Sequence, residues 1–360
     1  ASATTPSSTE SPRPTTPLTS PKEAAAAPQT TPEDEAWAKV VGEAKKEGVL
    51  NIYAFYFVGD VARALVKEFR DKYGIRVEIM PGASRTSIEK IKIEQRMKRP
   101  IADILNSSLG SASELVIGGN ATSVSRELPN LRNKSVFKVD PLVSPQGEII
   151  SYGLDLMGIL VNTKLVKPQD EPRSYFDLLQ PKWKGKMISS DIQGLKPFYH
   201  ELRFHKVLDL DFYRRLAKQD IVFWAGSAKE SYLMVGRGEY DIAVYTSSGS
   251  VSFMIAEGSP LKIITAEEGS IANQQVVTPV VNGAHPNATR LFINWLLSKE
   301  GQTLYHRMNQ STPVLNGVTD FVPEGARIET KKLFRRTWES LEWSDADYNA
   351  GTMQQIFGVK

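Results

Sequence analysis

From residue 49 onward, short apolar runs alternate with amphipathic stretches, and this alternation constrains the fold more than any other feature of the chain. "VLNIYAFYF" (49–57) is nearly all apolar, as expected of a strand buried on both faces. "VARALVKEF" follows with Val61, Leu65 and Phe69 at helical spacing, and Gly74 suits the position just past a helix end. "IRVEIM" (75–80) sets Ile75, Val77 and Ile79 against Arg76 and Glu78, the two-residue period of a strand. Thr86 with Glu89, and Ser111 with Glu114, have capping-box spacing and mark two helix starts. "IADIL" (101–105) is a short strand between them. This β-α-β-α order argues a parallel α/β sheet. The second half keeps the alternation. There "GKMISSD", "YDIAVYTSS" and "PLKIITA" read as strands, "DFYRRLAKQD" and "SAKESYLMV" as helices, and "NATRLFINWLLSKEGQTLYHRM" as one long amphipathic helix.

A chain of 360 residues suggests two domains. Its net charge of +3, from 44 basic and 41 acidic side chains, gives no long-range field for capturing nucleic acid. With no cysteine in the sequence, disulfides, thiolate nucleophiles and zinc-finger chemistry are excluded. No run of about 18 apolar residues is present, so no helix is expected to span a bilayer. Residues 1–35 differ from the rest. They are almost wholly Pro, Ser, Thr, Ala and charge, with Leu18 the one large aliphatic, too little apolar surface to offset the entropy of ordering. A disordered tether is expected there, of the kind a surface-anchored protein uses. The opening "ASATTPSSTE" without Met reads as a processed product.

Catalytic signatures are missing. There is no Gly-x-Ser-x-Gly elbow and no Walker pattern. "HELRFH" (200–205) spaces its histidines five apart, roughly 140° around a helix, so they do not share the face a zinc site needs and are expected at the surface. Hydroxyl-rich loops recur instead just after apolar strands: Ser84 and Arg85, Ser107 and Ser108, Ser190 and Asp191, Thr246 and Ser247. In open α/β sheets ligands sit at the carboxyl ends of strands, where helix N-termini favour anions. Ser and Thr are also the usual N-caps, so one such loop says little; four of them point to a binding site. Arg85 is a candidate fork for carboxylate or phosphate. Trp224 and Ser227, in "IVFWAGS", are candidates for stacking and hydrogen bonding.

Taken together in order, "VLNIYAFY…LVKEFRDKYGIRVEIMPGAS", "ADILNSS", "GLDLMGILVNTKLV", "SYFDLLQPKWKGKM", "RGEYDIAVY" and "NATRLFINWLLSKEGQ" resemble the bacterial extracellular solute-binding proteins of ATP-driven (ABC) importers, in the branch that includes ferric-iron binders. The resemblance covers roughly residues 40–325. It implies an α/β, type II periplasmic-binding-protein fold, with two lobes around a hinged ligand cleft. Lobe one would hold 36–150 plus 275–330 and lobe two 151–274, with 331–360 packing back. It implies ligand capture by hinge closure, delivery to a membrane permease and its ATPase, a monomer, a periplasmic or cell-surface location, and no enzymatic activity. No cofactor and no nucleic acid are expected. Membrane contact would come only through an N-terminal anchor, a lipid on a residue preceding Ala1.

The resemblance also gives "YFDLLQPKWKGKM" (175–187) a structural reading. Pro181 ends a helical turn, Trp183 packs, Gly185 permits a turn and the lysines are solvated. Ferric binders of this family present two adjacent tyrosines from the second lobe. Here Tyr245 stands alone before Thr246, and Tyr53 and Tyr56 have a different spacing, so the expected ligand is a small organic anion or an oxyanion. Ferric-iron transport is the alternative, and a ligand-sensing receptor subunit or an enzyme on the same fold would be the readings from another class.

Overall fold

The computed structural model describes residues 31–193, 195–329 and 332–359. Most of the expected tether, residues 1–30, lies outside them. Helix α1 (Pro32–Glu47) already begins inside that segment. Thr31 caps it, accepting from Asp34 N–H while Asp34 answers through its carboxylate, a complete capping box. Its C-terminal Gly48 adopts φ 70°, as the left-handed end of a helix prefers.

Strand β1 (Val49–Ala54), helix α2 (Gly59–Tyr73), strand β2 (Arg76–Pro81), helix α3 (Ser84–Arg96), strand β3 (Ile104–Ser108) and helix α4 (Leu109–Ile117) follow. The apolar run at 49–57 is therefore shorter as a strand than its hydrophobicity suggests. Beyond Ala54 the chain leaves the sheet, and Asn106 Oδ1 accepts from the Tyr56 and Phe57 N–H groups in place of a strand partner. Both capping-box readings in this half miss their helix starts. Helix α3 begins two residues ahead of Thr86, with Ala83 as its cap, and α4 begins directly after Ser108. The strands feed straight into the helices, so Thr86 and Ser111 fall inside the first turns.

Strand β4 (Ile150–Asn162) is buried along its whole length. Strand β5 (Met187–Ser190), a π-helical turn at Pro197–Glu201, helix α5 (Leu202–Phe204), helix α6 (Leu210–Leu216), strand β6 (Val222–Trp224), helix α7 (Ala228–Arg237), strand β7 (Ile242–Ser247), helix α8 (Ser248–Ala256), strand β8 (Leu261–Ile264) and strand β9 (Ser270–Pro279) complete the middle of the chain. Trp183 is buried, Gly185 takes φ 72°, and Lys182, Lys184 and Lys186 are exposed. That stretch is a packed turn, as read. Histidines 200 and 205 depart from the surface placement expected of them. His200 is fully buried and His205 half-buried, because the π turn carries them under the C-terminal segment.

The expected long helix at 287–308 is two helices, α9 (Pro286–Leu296) and α10 (Lys299–Asn309), parted at Ser298, whose hydroxyl accepts from Gly301 N–H. A methyl at Gly301 would collide with the Trp295 carbonyl, so glycine lets the second helix turn closely against the first. Strand β10 (Thr312–Pro313), strand β11 (Leu333–Arg335), helix α11 (Trp338–Asn349) and helix α12 (Thr352–Phe357) end the described chain.

The strands run in the order β2-β1-β3-β9-β4-β7-β5-β6, with β8 and β10 on β4 and β11 on β9. They form two groups that share β4. Strands β1, β2 and β3 are mutually parallel, and β3 is antiparallel to β9. Strands β5 and β6 are parallel to each other, β5 is parallel to β7, and β7 is antiparallel to β4. Between the groups runs the β4/β9 ribbon, antiparallel from Ile150–Val277 to Leu156–Ala272. One core packs Leu50, Ile52, Phe57, Phe69, Phe292 and Trp295, and a second packs Tyr175, Trp183, Phe198, Tyr199, Phe212 and Tyr245. The C-terminal segment touches both sides. Leu341 of α11 joins Leu109, Ala112 and Val276, whereas Met353 of α12 joins the second core.

Candidate functional site

Register defines the candidate site. Strand β3 runs along β9 and ends with Ser108 opposite Gln275. On β4, Gln275 faces Gly153. Strand β7 runs along β4 from the other direction and ends with Ser247 opposite Met157. The carboxyl ends of β3 and β7 therefore point at each other over the ribbon, four residues apart, or about 13 Å at a strand's rise. Asp155 lies midway, paired across the ribbon with Asn273.

Each of these strand ends leads into a helix. Ser108 sits at the cap of α4, but its hydroxyl bonds Ser111 rather than a backbone N–H. Ser247 sits at the cap of α8, and its hydroxyl bonds Ser250 at 2.7 Å. The orphan N–H at the start of α8 is taken instead by Asp155, whose Oδ1 accepts from Gly249 at 2.8 Å. Gly249 allows this approach, since a Cβ there would lie 2.6 Å from the same oxygen. Asp155 is buried, and burial pushes its carboxyl above the ordinary range, while the Gly249 N–H and the Ser247 hydroxyl pull it down.

A connected set of polar groups underlies the Asp155 position. The Asn106 amide donates to the Tyr152 hydroxyl at 2.7 Å, and the Tyr305 hydroxyl donates to Gln275 Oε1 at 2.7 Å. Tyr56 is half-buried in the loop after β1. Burial, with Asp155 and Tyr152 near it, pushes its phenol well up, and Arg336 pulls the other way. Arg336 is itself committed: its Nε donates to Glu201 and its guanidinium to Asn273 Oδ1, both at 3.0 Å. The hydroxyls of Ser190 and Ser248 are buried and have no hydrogen-bond partner among the described residues.

The sequence candidates divide into four groups. Ser107, Ser108, Thr246 and Ser247 converge on the two facing strand ends, although Ser107 and Thr246 are fully buried and bond their own next carbonyls. Tyr56 joins them through Asp155. Ser190 ends β5 opposite Trp224 on β6, one and two strands out from β7, and Asp191 follows as an exposed residue. Trp224 is half-buried with its Nε1 bonded to Glu230, and Ser227 caps α7 in a complete capping box. Ser84 and Arg85 start α3 beyond β2, the far edge of the other group, where Arg85 is exposed. Tyr53 and Tyr245 are core residues. The Tyr53 hydroxyl is bonded to the buried Glu94. The ring of Tyr245 packs 4.9 Å from Phe198 and 6.0 Å from Tyr175, and burial pushes its phenol well up.

Sequence reasoning passed over Asp155, Asn273 and Arg336. A signal for the first was present: Asp155 is the one charged residue in the 13-residue run Ile150–Asn162, in a strand whose neighbours are apolar. A surface hollow of about 560 Å³ lies elsewhere, among Arg126, Arg132, Lys134 and Ser144, and includes none of the strand-end residues.

The family model described as bacterial extracellular solute-binding protein matches residues 100–333. An uncharacterized protein of Haemophilus influenzae is 23% identical over 293 residues, covering 78% of this chain and 82% of that one. Among solved structures, the Trichodesmium protein IdiA (FutA), in complex with iron and citrate, has a TM-score of 0.71 at 21% identity, over 87% of this chain and 100% of that one. The periplasmic binding protein AfuA of Actinobacillus pleuropneumoniae, with fructose-6-phosphate bound, has a TM-score of 0.66 at 19% identity, over 86% and 97%. Ferric iron-binding protein A of Mannheimia haemolytica, in an open conformation, has a TM-score of 0.71 at 17% identity, over 86% and 98%. At these identities the likeness speaks to fold, and the fold is the type II periplasmic-binding-protein arrangement.

Proposed function

The chain belongs to the bacterial extracellular solute-binding proteins, and on that premise we propose that it is the solute-binding component of an ABC importer, capturing a small organic anion or oxyanion between the facing ends of β3 and β7. The observation that carries this reading is the opposed register. Two sets of strand ends, each leading into helix N-termini, meet over a two-stranded ribbon that is the natural hinge. In this reading lobe one comprises 36–150 plus 275–330 and lobe two 151–274, with β4 and β9 flexing between them and the C-terminal segment packed across both. The ligand-bound form would dock on a permease driven by an ATPase. The protein would act outside the cytoplasm as a monomer, held by an N-terminal lipid anchor, and it would bind its solute without transforming it.

The test is a thermal-shift screen of metal-stripped protein against ferric citrate, small carboxylates, phosphonates, phosphate and sulfate. A ligand at 100 times its dissociation constant adds about 2.7 kcal/mol of stability. The reading expects a shift with an organic anion, accompanied by a smaller radius of gyration in solution scattering as the lobes close. A shift with ferric citrate alone, bringing a visible tyrosinate band, would replace the anion by iron. No shift and no closure with any compound would overturn the reading.

A further inference from the structure

We propose that Asp155 is the specificity-determining residue of this site and that the solute carries a hydroxyl or ammonium group that donates a hydrogen to it. The inference rests on the solute-binding reading and narrows the chemistry of its ligand. A helix N-terminus ordinarily attracts an anion. Here the start of α8 already holds one, because Asp155 Oδ1 takes the Gly249 N–H at 2.8 Å. The position is fixed on two sides. Strand β4 holds the Asp155 backbone in the ribbon opposite Asn273, and Gly249 leaves no side chain between helix and carboxylate. Arg336, the nearby guanidinium, is engaged by Glu201 and Asn273.

A carboxylate offers about four acceptor positions, more than the Gly249 N–H fills. It stands midway between the two strand ends, where a captured solute must lie. A bare oxyanion placed there meets like charge in a partly desolvated setting, which disfavours it. A solute with an O–H or N–H at that point makes a charge-assisted bond, roughly twice as strong as a neutral one. Asp155 thus admits hydroxylated or amino-bearing anions and rejects their plain counterparts.

Matched pairs test this: ethyl phosphate against phosphoethanolamine, and succinate against malate and aspartate, by calorimetry on the full chain. Wild type should prefer the donor-bearing member by about tenfold or more, as expected for one hydrogen bond to a charged group. Asp155→Asn should shrink that preference to within about threefold, with Asp155→Ser as a second variant should the first fold poorly. Equal binding of both members by wild type, or a preference that survives both substitutions, overturns the inference. Should none of these compounds bind, native mass spectrometry of protein purified from its own cells decides. A co-purifying solute with a hydroxyl or amine, lost in Asp155→Asn, supports the inference. A co-purifying solute without such a donor overturns it and leaves the solute-binding reading standing. No solute at all overturns both.

Discussion

His200 Nδ1 lies 2.5 Å from Asp347 Oδ2, and the same oxygen accepts from Arg203 at 2.5 Å. This contact ties α11 to the π turn after β5, and Lys196 adds a second tie to Asp345. The C-terminal segment is thereby fastened by polar contacts as well as by Leu341 and Met353. Asp347→Ala should lower the melting temperature and speed amide hydrogen exchange in α11 ahead of the rest of the chain. Unchanged exchange in α11 would show that apolar packing alone holds it.

Glu201 is fully buried, and its Oε1 accepts from Arg336 and from the Ser344 hydroxyl. Arg336→Met should destabilise the protein by about 3–5 kcal/mol, because it leaves a buried carboxylate uncompensated. Adding Glu201→Gln should recover a large part of that loss. A double mutant no more stable than Arg336→Met, measured by urea unfolding, would refute the pairing argument.

Stability should fall on acidification through His306. Its Nδ1 faces the Ser311 hydroxyl at 2.8 Å and its Nε2 the Tyr152 carbonyl at 3.0 Å, an arrangement that suits a neutral ring. Burial pushes its pKa down to about 3, although the Tyr152 carbonyl pulls upward. Below about pH 6.5 the unfolded chain takes up a proton that the native site refuses. Stability from this group is therefore complete above about pH 6.5 and is lost as pH drops toward 3, about 2 kcal/mol by pH 5. His306→Gln should flatten the slope of unfolding free energy between about pH 7 and 5.

Gly301→Ala should cost about 1–3 kcal/mol by overpacking, since the added methyl meets the Trp295 carbonyl across the break between α9 and α10. Gly110→Ala is the control, because nothing lies near its Cβ position. The comparison is read as the difference in melting temperature between the two variants.

Asn106 holds the loop after β1 by accepting from Tyr56 and Phe57 N–H. Asn106→Ala should raise the exchange rate of those two amides and cost about 1–3 kcal/mol, the penalty for leaving buried partners unsatisfied. Solute affinity should fall with it, because Tyr56 then loses its fixed position near Asp155.

The alternating α/β order and the hydroxyl pairs near the ends of β3, β5 and β7 were legible in the sequence, because burial on both faces and strand-to-helix turns leave local signatures, although those hydroxyls close the strands and do not sit in loops after them. Ser108 and Ser247 were found in this way. What escaped depends on pairing between distant residues. That Ser108 and Ser247 oppose each other follows from register with β9 and β4, which no local pattern encodes. Tyr53 and Tyr245 look available in sequence, yet Glu94 and Phe198 enclose them in the folded chain. His200 was misread for the same reason, since Asp347, its partner, arrives from the far C-terminus.

The β4/β9 ribbon also sets the order in which the chain can assemble. Strand β3 has β1 on one side and β9 on the other, with Ile104 set against Pro279, so the first group of strands keeps an open edge until residues beyond 270 are available. Such distant pairing folds slowly. A chain with this topology leaves β3 without one of its two partners until β9 is available.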